Sequence, residues 1–131
     1  MTVLETKIHE SIEYWVETLG LQHWEFTVEV VSEFDDGVDA EASCAAHAYY
    51  DQATLRFNKR LKGSEIDYCV VHELVHALMR DYDEAADDAL QYLGYNIGRG
   101  FALRVNATKE NLVDRVTRIL LELGKSDRVR P

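Results

Sequence analysis

Within five consecutive residues, His72-Glu73-Leu74-Val75-His76, the chain sets two imidazoles and a carboxylate at a spacing suited to metal chemistry. On a helix, which turns about 100° per residue, His72 and His76 stand one turn apart on one side. Two ring nitrogens can then meet one tetrahedral ion at about 2.0–2.1 Å. Glu73 falls on the edge of that face, placed to act on a water beside the ion rather than to hold the ion itself. Val70, Val71, Leu74, Ala77 and Leu78 fall on the opposite side, so apolar burial would anchor the helix. No charge except Glu73 interrupts residues 68–78. A pair of histidines satisfied by hydrogen bonds on a half-buried helix would also fit the spacing. The glutamate at the base position and the uncharged surroundings favour the metal.

A structural zinc takes four protein ligands, whereas a catalytic zinc takes three and keeps a place for water. The other histidines, His9, His23 and His47, all precede the motif. Met79 and Tyr82 stand where a metzincin-type continuation needs glycine and a third histidine, which excludes that arrangement. A downstream carboxylate remains, from Asp81, Asp83, Glu84, Asp87, Asp88, Glu110 and Asp114. Glu110 is the first choice because it opens an apolar helix, although a first-turn acid favoured by the helix dipole would look the same. Glu84 comes second, then the other acids or His47. Cys69, one turn before His72, would close the site as a fourth ligand. Three ligands from one straight helix cannot easily surround an ion, so small-residue packing is the better reading of Cys69.

Several elements must position these residues. Leu4, Ile8, Ile12, Trp15 and Leu19 recur at helical spacing, and Gly20 supplies a left-handed stop. Residues 24–30 alternate between apolar and polar, the signature of a strand with one buried face. Asp35-Asp36-Gly37 is turn chemistry. Extended runs at residues 42–50 and 53–58, joined through Asp51-Gln52, predict a β-hairpin. Ser64, with Asp67 three residues later, predicts a capping box opening the metal helix, which should end near Arg80. A further helical stretch starts at Asp83-Glu84 and runs through Leu90 and Leu93. Gly94, Gly98 and Gly100 leave the next segment open between a break and close packing, and no phosphate loop is present. Thr108 predicts the cap of a last helix with an apolar stripe from Leu112 to Leu123, ended by Gly124. The order predicts an α+β domain over residues 1–131: an N-terminal helix, a three-stranded antiparallel sheet, the metal helix and C-terminal helices on one face.

The length of 131 residues suits one core. A net charge of −10 argues against non-specific binding of nucleic acid or anionic membranes, which needs a basic surface. Nothing at the N-terminus resembles a signal peptide, no apolar run reaches the ~20 residues of a membrane span, and Cys44 and Cys69 form no CxxC. A cytoplasmic location with free thiols is the expectation.

The hairpin, the run Val70-Val71-His72-Glu73-Leu74-Val75-His76-Ala77-Leu78 and the late Glu110-Asn111-Leu112-Val113 helix resemble small, single-domain gluzincin-type proteins found among phage and bacterial metallopeptidases. The likeness covers the second half of the chain and the hairpin. It implies a minimal zincin-like domain with its sheet above the active helix, zinc as cofactor, and a protein or peptide as substrate. Zinc held by His72, His76 and Glu110 would lower the pKa of water, and Glu73 would serve as general base. Tyr49, Tyr50, His47 and Tyr82 are candidate oxyanion donors, and an extended peptide could add to the sheet edge at the hairpin. Two rival readings are a zinc-binding zincin-fold regulatory or interaction protein with little hydrolysis, and a hydrolase of another substrate such as nucleic acid. The acidity counts against the latter.

Overall fold

The computed structural model describes residues 1–32, 41–47, 50–90 and 95–129. The Asp35-Asp36-Gly37 turn, Tyr49, Leu93 and Gly94 lie outside them. The first helix, α1 (Val3–Thr18), opens with the Thr2 hydroxyl accepting from the Glu5 N–H at 3.1 Å. Its Ile8, Ile12 and Trp15 face the core, and Gly20 ends the turn with φ +71°, as its glycine predicts.

Among the described residues three strands follow: β1 (Glu25–Val31), β2 (Ala42–Ala46) and β3 (Gln52–Asn58). The expected hairpin forms, with β2 antiparallel to β3. The sheet as a whole is mixed rather than antiparallel, because the order is β1-β3-β2 and β1 runs parallel to β3. The cause is simple chain geometry. Two reversals, one on each side of β2, return β3 to the direction of β1. Ala53, Leu55 and Phe57 make β3 the most deeply buried strand, so it takes the centre and leaves its second edge to β1.

A single 3-10 turn, Gly63–Glu65, leads into α2 (Ile66–Leu78). The Ser64–Asp67 capping box does not form, since no side chain caps this helix. Asp67 instead accepts from the Ser11 hydroxyl at 2.6 Å and the Trp15 indole N–H at 3.4 Å, fastening α2 to α1. The buried Ser11 offers a donor that the local capping geometry cannot match. Helix α2 ends at Met79, and α3 (Arg80–Leu90) begins at once. The last helix, α4 (Tyr95–Val129), runs without a break through Gly98, Gly100, Thr108 and Gly124. The expected cap at Thr108 and stop at Gly124 are therefore both corrected. Gly124 serves packing: a Cβ there would lie 2.4 Å from the Trp15 ring.

The core joins Ile8, Ile12 and Trp15 of α1 to Leu55 and Phe57 of β3, Val70, Val71 and Leu74 of α2, and Val113 of α4. Helix α2 is thus wedged between the sheet and the two long helices, with the face that carries His72 and His76 turned to α4. Among the described residues no helix is long and apolar enough to cross a membrane.

Candidate metal centre

Helix α2 places the two histidines one turn apart, their rings 5.0 Å between centroids. Val70, Val71 and Leu74 are fully buried on its other side and fix its rotation. Nitrogen or oxygen atoms of His72, Glu73 and His76 come within 4.8 Å of one another, a group that could hold a metal ion. Glu110 arrives from α4. Its carboxylate oxygens stand 3.6 Å from His72 Nε2 and 3.3 Å from His76 Nε2. Ligands sharing a tetrahedral ion at 2.0–2.2 Å lie about 3.3–3.5 Å apart. Each histidine approaches that spacing against a different oxygen of Glu110, whereas the three groups that come together with one atom each are His72, Glu73 and His76.

Glu73 is only 5% exposed, and its Oε2 is buried without a hydrogen-bond partner. Burial first, and the nearby Glu110 carboxylate second, push its pKa up to about 7. For His76, burial outweighs the attraction of Glu110 and lowers the pKa, with repulsion from His72 acting in the same sense. The neutral ring, the form that ligates metal, is thereby favoured. His72 Nδ1 is also buried without a partner.

The other sequence candidates are distributed as follows. Asp83 pairs with Lys109 at 3.2 Å, and exposed Asp81 pairs with Arg80 at 3.2 Å. Glu84 has one buried oxygen without a partner, and Asp88 is exposed. The side chain of Asp87 is outside the described set. His47 is exposed and its ring packs on Tyr50 at 4.8 Å; Tyr50 and Tyr82 are exposed. The Cys69 thiol donates to Glu41 Oε2 at 3.7 Å, and burial, then Glu41, push its pKa up to about 12. That bond turns the thiol toward the start of β2. Burial likewise raises the Cys44 thiol to about 12, with Glu73 next in effect.

Sequence reasoning overlooked Tyr68. Its ring lies 5.6 Å from that of His72, and its hydroxyl donates to Asp114 Oδ1. Burial and that hydrogen bond push its pKa up to about 12, so the phenol stays a donor. Asp114, weighed only as a ligand, is held from its other oxygen by Arg118 Nε at 3.0 Å. The available signal was the i, i+4 series Tyr68, His72, His76 facing a second one, Glu110, Asp114, Arg118.

No family model matches the chain, and no curated protein or solved structure matches it.

Proposed function

We propose that the chain is a zinc-dependent metallopeptidase of the zincin type, with His72, His76 and Glu110 as the zinc ligands and Glu73 as the general base. The observation that carries this reading is the approach of one Glu110 carboxylate, from a separate helix, to the Nε2 atoms of both histidines. An ion-pair cluster explains that approach less well. The His72 contact at 3.6 Å is too long for a hydrogen bond, and burial disfavours the His76 imidazolium. Two nitrogens and one carboxylate oxygen, with a place left for water, form the donor set of a catalytic zinc.

When bound there, zinc supplies Lewis acidity that brings the pKa of water toward ~7 and draws electron density from a carbonyl. Glu73, nearly buried beside the two histidines, is placed to take up a proton and to give it back. It accepts the proton of the attacking water and returns it to the leaving amine. Burial shields the Glu73 carboxylate itself, while half-exposed Glu110 leaves the α4 side of the site open to water. Strand β2, an edge of the sheet joined to α2 through the Cys69–Glu41 contact, offers an extended peptide a ladder beside the base.

The test combines zinc content with hydrolysis of a broad peptide library by the natural chain and by Glu73→Gln. One equivalent of zinc in both, with hydrolysis only in the natural chain, supports the enzyme. Zinc without hydrolysis in the natural chain leaves a metal-binding regulatory protein. A folded natural chain that takes up no zinc overturns both.

A further inference from the structure

We propose that Tyr68 is a positioning residue for this metal centre: its hydrogen bond to Asp114 holds α4 against α2 in the rotation and register that deliver Glu110 to His72 and His76. The inference rests on the metal-binding reading above and adds a residue outside the ligand set. Along the seam between the helices, Tyr68 meets Asp114, while His72 and His76 meet Glu110. The order rises on α2 and falls on α4, so the two run antiparallel here. The Tyr68–Asp114 bond is the rung one turn away from the metal ligands, about 6 Å along each axis.

Glu110 depends on such a rung. Its side chain is 53% exposed, so close packing does not fix it, and the placement of α4 decides where its carboxylate falls. A carboxylate about 6 Å from a helix axis moves about 2 Å when the helix rotates by roughly 20°. A metal site tolerates errors of only about 0.2 Å in its ligand distances. Buried Val113 and Thr117 hold α4 to the core, but Thr117 bonds back to its own helix, at Val113 O, and gives α4 no directional tie to α2. The Tyr68–Asp114 bond is directional, and Arg118 fixes the other oxygen of its acceptor at 3.0 Å.

The experiment measures zinc affinity by competition with a chelator for the natural chain, Tyr68→Phe, Glu110→Ala and the double variant. The cobalt-substituted spectra and the unfolding midpoints of the metal-stripped proteins are recorded alongside. Tyr68→Phe keeps the ring and should bind zinc about 10–100-fold more weakly, with altered cobalt ligand-field bands. In the Glu110→Ala background the same change should cost nothing further, because Tyr68 acts through Glu110. Asp114→Ala removes the bond from its other end and should repeat both results, so the comparison survives if Tyr68→Phe fails to fold. Unchanged affinity in Tyr68→Phe, or an equal loss in both backgrounds, overturns the proposal. A natural chain that binds no zinc instead overturns the metal reading itself, and is told apart because the failure then appears before any substitution.

Discussion

Burial keeps Glu73 protonated, through its raised pKa of about 7, well above the pH at which an exposed glutamate ionises. In the metal-stripped protein that shift runs against stability. The folded state holds the proton between pH 4.5 and about 7 while the unfolded chain has released it, so stability falls as pH rises through that window. The full effect is about 3 kcal/mol. Denaturant titrations of metal-stripped Glu73→Gln should show that fall reduced relative to the natural chain. The lowered pKa of His76 acts in the opposite sense and cancels in the difference. Parallel curves for the two proteins would remove burial as the cause. Removal of the proposed third donor by Glu110→Ala should weaken zinc binding by at least tenfold without disturbing the fold, since its side chain is half exposed; isothermal titration with zinc measures this. At this scale the sequence was informative where the signal was local. His72, Glu73 and His76 lie within one helical turn; Glu110 was singled out as the acid opening a helix, yet it lies in the middle of α4 and reaches the histidines from there. The Tyr68–Asp114 pair was not legible, because it depends on the antiparallel register of two helices far apart in the chain.

Helix α4 shows how tertiary packing overrides local punctuation. Thr108 and Gly124 carry the residue types of a cap and a stop, yet both lie inside one helix. A glycine within a helix costs only about 1 kcal/mol relative to alanine, which the contact with Trp15 can offset. Gly124→Ala, favourable by helix propensity alone, should therefore destabilise the protein by about 1–3 kcal/mol, as the new methyl meets the buried indole. A midpoint equal to or above that of the natural chain in chemical denaturation would refute this. Asp67 makes the parallel case on α2. It has the residue type and position of a capping-box acid, but it bonds to buried Ser11 and to Trp15 on α1. Asp67→Ala should cost about 1–3 kcal/mol by leaving the Ser11 hydroxyl without its acceptor. The strands were legible because their alternation is local. The hairpin was legible too, but the parallel pairing of β1 was not, since alternation records which face is buried and says nothing of a neighbour's direction.

For the molecule as a whole, the proposed ligands on α2 and α4 make zinc a cross-link between helices that otherwise meet through packing and a few polar bonds. An ion that binds only the folded chain stabilises it by about 2.7 kcal/mol at a hundredfold excess over its dissociation constant, a rise in Tm of about 10 °C. Calorimetry with zinc and then with excess chelator should show that rise and its reversal, and Glu110→Ala should blunt it. The parallel pairing of β1 with β3 governs the order in which the sheet assembles. Partners such as Ala46 and Ala53 meet across a short hairpin, whereas Glu25 must find Gln52 across a much longer stretch of chain. Closing the longer loop costs about 1 kcal/mol more, so the hairpin should close first and β1 dock afterwards. Unfolding by the reverse of that order would release β1 first. When it leaves, the strand built on Ala53, Leu55 and Phe57 presents an open row of amides and carbonyls, and self-association under thermal stress should begin there.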